Sequence, residues 1–180
     1  MKVLRFLISL ASCALLVISC GNSSTKSQSL QIGDTAPEFS TMNETGEITQ
    51  LEDYKGKYIL LFFYPKDDTP GCTEEALNFA KFYKQFKELN TEIIGINYDN
   101  SDSHLAFKSK FNLPFPLLSD TDKKISKTYG SEGMIFSARD SFLIGPQGKI
   151  LQIYRSVDPN DHAQNVLEDL KTINGSPHKK

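Results

Sequence analysis

The sequence predicts an α/β layer fold. Two apolar runs of strand length, Tyr58 to Tyr64 and Glu92 to Tyr98, are each followed by a segment of helical character. That alternation is the pattern of helices laid on an internal sheet. The chain then closes in two short apolar runs flanking Gly145-Pro146-Gln147-Gly148, a hairpin, and one last amphipathic helix. With 180 residues, 39% of them hydrophobic and 23% charged, the chain has the size of one domain and the material for one core. Its net charge of −2 gives no electrostatic footprint for a nucleic-acid partner.

Residues 1–19 read as a signal peptide. Lys2 and Arg5 form a positive start, and Phe6 to Ile18 is apolar but shorter than the ~20 residues of a spanning helix. The segment ends Val17-Ile18-Ser19-Cys20, which resembles the lipobox of bacterial lipoproteins. That resemblance implies cleavage before Cys20, lipidation of Cys20, and an extracytoplasmic protein held at a bacterial membrane, on the periplasmic face or the cell surface. More than one acyl chain is needed for stable anchoring. Residues 20–29 then form the lipidated cysteine and a Ser-rich polar tether, with a flexible reach of ~17 Å.

The folded domain is expected over 30–180. Gly33 to Phe39 reads as a turn into a short strand, and Asn43 to Glu47 as a hairpin loop before Ile48 to Leu51. After the apolar strand at Tyr58, Ala76, Phe79, Phe82, Tyr83 and Phe86 recur at three- and four-residue steps and mark one buried helix face. Ser101 or Asp102 is expected to cap the next helix, with Leu105, Ala106 and Phe107 on it. Phe115 to Leu118 is a short strand, and Asp120 or Thr121 caps a short helix ending near Tyr129-Gly130. Asp158-Pro159 starts the last helix, with Val166, Leu167, Leu170 and Ile173 inward. His104 and His162 are expected near the surface of their helices, and neither has metal-ligand spacing with a partner.

The chemistry concentrates where the strand ending at Tyr64 meets a helix start. In Thr69-Pro70-Gly71-Cys72, Thr69 suits the N-cap and Pro70 the first helical position. Cys72 then occupies the place three residues after the cap, where a capping box puts Glu or Gln. A thiolate there meets the positive end of the helix macrodipole and unpaired backbone N–H groups. An unperturbed cysteine is only a few per cent thiolate at pH 7, so ionisation alone gains on the order of 30-fold. Further rate must come from groups that hold the transition state more tightly than the ground state. Thr69 offers a hydroxyl on the same turn. Arg139, just before the apolar run Phe142 to Ile144, is the candidate cation, although on sequence physics alone an exposed arginine is the better reading.

These residues resemble a known family. Pro65-x-x-x-Thr69-x-x-Cys72 matches the active-site signature of peroxiredoxins, and Phe62 to Ala76 is similar to the bacterioferritin-comigratory (PrxQ) subgroup. The resemblance runs from about Gly33 through the last helix and includes Gly95 to Asp99, Asn112 to Asp120, and Arg139. It implies a thioredoxin-like fold: a central mixed sheet flanked by helices, with an N-terminal β-hairpin extension. It also implies reduction of hydrogen peroxide or organic hydroperoxides without a cofactor or metal. Cys72 would be the peroxidatic thiolate, becoming a sulfenic acid. Thr69 and the Cys72 backbone N–H would hold the peroxide, Arg139 would stabilise negative charge, Pro65 would shield the pocket, and Glu75 would orient Arg139.

One departure shapes the expected cycle. Many of the subgroup carry a resolving cysteine five residues after the peroxidatic one, where this chain has Leu77; others place it on the next helix, and Ser101 to Asn112 has none. The sulfenic acid is therefore expected to be reduced by an external thiol, a thioredoxin-like protein or a small molecule, in a monomer or weak dimer. Two alternatives share the fold: a peroxide-sensing lipoprotein, and a thiol–disulfide exchange lipoprotein. The second normally needs a Cys-x-x-Cys pair that is absent here.

Overall fold

The computed structural model describes residues 29–175. Cys13, Cys20 and residues 21–28, on which the signal, lipidation and tether expectations rest, lie outside them. Strands β1 (Ser40–Met42) and β2 (Ile48–Gln50) pair antiparallel as a small separate sheet. Asn43 closes their loop, its side-chain oxygen accepting from the Thr45 and Glu47 N–H groups. The turn expected over Gly33 to Phe39 does lead into a strand, which starts only at Ser40. Pro37 has no N–H to offer a ladder, and upstream of it Thr35 makes one isolated bridge, to Lys149. A single 3-10 turn at Leu51–Tyr54, unforeseen in the sequence, leads into the main sheet.

That sheet is five-stranded, in the order β5-β4-β3-β6-β7. Its members are β3 (Tyr58–Phe63), β4 (Thr91–Asn97), β5 (Leu117–Ser119), β6 (Asp140–Ile144) and β7 (Ile150–Tyr154). β3–β4 and β4–β5 run parallel, β3–β6 and β6–β7 antiparallel, so the sheet is mixed and β3 is its centre. Successive strand side chains point to opposite faces, and β3 is apolar on both. Tyr58, Leu60, Phe62 and, past its end, Tyr64 pack with Phe79 and Phe86 of α1 (Pro70–Glu88) and Val166, Leu167 and Leu170 of α4 (His162–Gly175). Ile59, Leu61 and Phe63 face the other way, onto Phe142, Ile144 and the Ile125 and Tyr129 side chains of α3 (Lys124–Tyr129).

Gly95, in the middle of β4, shows how tightly the first layer closes. A Cβ built there would lie 2.8 Å from both Leu117 Cδ2 and Phe62 Cζ. Gly95→Ala is expected to lower unfolding free energy by about 1–3 kcal/mol, the usual range for overpacking, as measured by urea unfolding.

Three helix starts differ from the sequence reading. α2 (Ser101–Phe111) is capped by Asn100, whose Oδ1 accepts from the Ser103 N–H at 3.0 Å. Its buried residues are His104 and Phe107, while Leu105 is 47% exposed; the inward face follows the i, i+3 step and is partly polar. α3 begins after Lys123, yet Asp120 still receives the Ile125 and Ser126 N–H groups at 3.0 and 2.8 Å. α4 begins at His162, after a turn in which Asp158 Oδ1 accepts from the Asn160 N–H and side chain.

Candidate active site

The first backbone bond of α1 runs from Thr73 N–H to the Thr69 carbonyl at 2.8 Å. Gly71 and Cys72 thus carry N–H groups ahead of the helical ladder, the ordinary state of a first turn. Thr69 holds the N-cap position, but its side chain does not cap. Its hydroxyl instead donates to the Lys66 carbonyl at 3.1 Å, which leaves the oxygen's lone pairs as acceptors. Pro65 lies half-buried in the bend between β3 and α1. Cys72, in the first turn of α1, is 1% exposed and belongs to the core layer between that helix and the sheet.

Arg139 reaches this junction through sheet register. The antiparallel pairing of β3 with β6 sets Phe63 opposite Asp140, so the residue before β6 arrives where β3 turns into the Cys72 loop. Arg139 Nη2 lies 3.4 Å from Cys72 Sγ, and Nη1 pairs with Glu75 Oε2 one helical turn beyond the cysteine. Glu75 is 1% exposed, and its Oε1 has no hydrogen-bond partner among the described residues. Burial pushes the Glu75 carboxyl up to about 7, against the opposing pull of Arg139. Arg139 itself is raised despite burial, by the Glu75 charge first and by Cys72 after it. The structure therefore brings Cys72, Arg139 and Glu75 into one contact chain, with Thr69 and Pro65 on the loop that enters it.

Residues 32–153 match the AhpC/TSA family. The Bacillus subtilis (strain 168) peroxiredoxin Bcp is 41% identical over 153 residues, covering 80% of this chain and 97% of the relative. The chain belongs to the AhpC/TSA family, among the Bcp/PrxQ peroxiredoxins. Peroxiredoxin Q from Sedum lineare chloroplasts is 35% identical over 145 residues, covering 78% of each chain. A cysteine-to-serine mutant of Xylella fastidiosa PrxQ superposes with a TM-score of 0.77 at 34% identity, covering 82% of this chain and 99% of that one. The fold is thus the thioredoxin-like one, with the two-stranded hairpin sheet on its N-terminal side.

In this peroxiredoxin both histidines of the described helices are buried, contrary to the surface places expected for them. Each has a polar partner distant in sequence. His104 Nδ1 meets Asp67 Oδ2 at 2.9 Å, and His162 Nε2 meets Ser141 Oγ at 2.8 Å. Burial first, and the Arg139 charge second, hold His162 down at about 4 from 6.5. An unfolded chain thus takes up this proton before the folded one. The stabilisation is fully present above pH 6.5 and is lost as pH falls toward 4, about 3 kcal/mol in all. His162→Gln removes this term. Wild type is expected to lose stability relative to the variant by about that amount between pH 7 and pH 4; parallel guanidinium unfolding series would contradict it.

Sequence reasoning missed a buried polar cluster beside the thiol. Asp67, Asn97 and His104 are all buried; Asn97, His104 and the Tyr64 hydroxyl all bond to the Asp67 carboxylate, the hydroxyl donating to Oδ1 at 2.7 Å. No local pattern marks it; the one available signal was a histidine three residues before Phe107, on the inward face of α2. Among the described residues Cys72 is the one cysteine, no cluster is arranged to hold a metal ion, and no helix is long and apolar enough to cross a membrane. Leu77, in the place of a resolving cysteine, is 43% exposed on α1.

Proposed function

We propose that this peroxiredoxin reduces hydrogen peroxide and organic hydroperoxides by attack of the Cys72 thiolate on the distal peroxide oxygen. The S–O bond forms as the O–O bond breaks, giving a Cys72 sulfenic acid and a leaving hydroxide or alkoxide that takes a proton to become water or alcohol. The observation that carries this reading is the 3.4 Å contact of Arg139 Nη2 with Cys72 Sγ, itself backed by Glu75. A guanidinium so placed stabilises the thiolate and then the charge passing to the leaving oxygen. Thr69, its proton committed to Lys66, offers an acceptor for the peroxide O–H, and the Cys72 N–H a donor. Pro65 limits water at the pocket, and Glu75 aims the arginine.

The loop that delivers Arg139 also exposes Met134, Ile135 and Phe136, at 92%, 69% and 46%. These exposed apolar side chains support acceptance of organic hydroperoxides beside hydrogen peroxide. With no second cysteine among the described residues, the sulfenic acid is returned to thiol by an external dithiol protein or small thiol, by way of a mixed disulfide at Cys72. The protein works as a monomer or weak dimer, and is held extracytoplasmically at a bacterial membrane, on the periplasmic face or the cell surface, through lipidated Cys20 after removal of 1–19; the Ser19-Cys20 junction supports the anchor.

The test is peroxide turnover across a panel of reductants, with mass spectrometry of Cys72 adducts trapped by dimedone. Repeated turnover with at least one thiol is the expected result. One equivalent of peroxide consumed under every reductant would instead indicate a peroxide sensor.

A further inference from the structure

One peptide plane anchors the loop between β3 and α1 beside the catalytic turn. Between Lys66 and Asp67, its N–H donates to Asp99 Oδ2 at 2.8 Å, while its carbonyl receives the Thr69 hydroxyl at 3.1 Å. The orientation of that plane therefore sets the direction of the hydroxyl. A surface loop would leave the plane free to turn. Here it is held by the Asp67 side chain, which is 6% exposed and bonded at both oxygens. Oδ1 accepts from Tyr64 Oη at 2.7 Å and Asn97 Nδ2 at 3.0 Å. Oδ2 accepts from Ser103 Oγ at 2.8 Å and His104 Nδ1 at 2.9 Å.

A buried carboxylate is costly unless several donors meet it, and once met it has little freedom to move. Ser103 and His104 both belong to α2, a helix that supplies no reacting group. His104 is fully buried, and its Nε2 has no hydrogen-bond partner among the described residues. A side chain that leaves one ring nitrogen unsatisfied in the core is expensive to keep for packing alone. Its one polar contact is with Asp67. The next residue, Asp68, stands at φ +53° and is gripped at both oxygens by Lys110 of the same helix. α2 thus braces the entry to the catalytic turn at two consecutive residues.

We propose that Asp67 and His104 are positioning residues of the peroxidase reaction. Their buried contact fixes the Lys66–Asp67 peptide plane and, through it, the Thr69 hydroxyl relative to Cys72. The inference rests on the roles given above to Cys72 and Thr69. It assigns α2 a function in the first half of the cycle, although the helix carries neither a resolving cysteine nor a substrate contact.

The test compares two reactions of Cys72 in the full chain. Oxidation by hydrogen peroxide needs the aligned hydroxyl; alkylation by iodoacetamide needs only an accessible thiolate. Asp67→Asn and His104→Phe are expected to slow single-turnover oxidation by about 10- to 100-fold, the scale of a misplacement near 1 Å. Their alkylation rates should stay within about twofold of wild type, since the thiolate fraction and access are unaltered. His104→Gln, which restores a donor to Asp67, should recover most of the loss. In a Thr69→Val background His104→Phe should cost little more, because it acts through the missing hydroxyl. Should Asp67→Asn fail to fold, the two His104 variants still decide the matter. Oxidation rates unchanged in an active protein, or oxidation and alkylation falling together, would overturn the inference alone. A wild type that consumes no peroxide would overturn the peroxidase reading and the inference with it.

Discussion

Cys72→Ser is expected to reduce peroxide turnover to the uncatalysed background while leaving the fold in place. The first half follows from what the sulfur does. A thiolate accepts the peroxide oxygen because sulfur can be oxidised to a sulfenic acid and reduced again. A serine hydroxyl is not ionised near neutral pH, and attack by its oxygen would only exchange one O–O bond for another. The second half follows from the surroundings. Cys72 is packed at 1% exposure in the same core cluster as Tyr64, Ala76 and Phe79, and its sulfur meets Arg139 Nη2 at 3.4 Å. Serine is slightly smaller, and its hydroxyl can still meet that guanidinium, so the expected loss of stability is about 1 kcal/mol. Peroxide consumption with dithiothreitol, read beside a thermal melt, separates the two effects. Residual turnover in a folded variant would move the chemistry elsewhere, and no other cysteine among the described residues could take it up.

What the sequence allowed one to read depended on the range over which each feature is determined. The β3 run is apolar on both faces, and that is visible in six consecutive residues. The aromatic stripe of α1 is visible in three turns: Ala76, Phe79 and Phe86 are buried, with Phe82 and Tyr83 at the margin. Caps were harder. Asn100, Ser101 and Asp102 are each chemically able to cap, and only the observed bond from Ser103 selects Asn100. The inward face of α2 is not marked by its apolar residues, since Leu105 is 47% exposed. The face was decided by Asp67, 37 residues away from His104, which makes a polar residue the buried one. Arg139 stood out in the sequence as a candidate, and the resemblance gave it a role that spacing could not. What delivers it is the pairing of Phe63 with Asp140 across β3 and β6, a contact that no local window contains.

Arg139→Ala is expected to slow oxidation of Cys72 by peroxide on the order of 10²–10³-fold, the cost of removing one preorganised charge-stabilising donor group. Arg139→Lys should recover only part of this, because an ammonium cannot reach sulfur and carboxylate with separate donors of one rigid plane. The partner variant makes the prediction sharper. Glu75 is buried with one oxygen on Arg139 and the other unpartnered, so it has no visible structural task beyond aiming the guanidinium. Glu75→Gln keeps an oxygen acceptor but weakens a charge-assisted bond to a neutral one, an expected loss of about tenfold. If Glu75 acts through Arg139, the double variant Glu75→Gln/Arg139→Ala should be no slower than Arg139→Ala alone. Stopped-flow oxidation of the four proteins completes the cycle. Additive losses would mean that Glu75 acts on the reaction by a route of its own, and its carboxyl, raised to about 7 by burial, would then be the group to follow with pH.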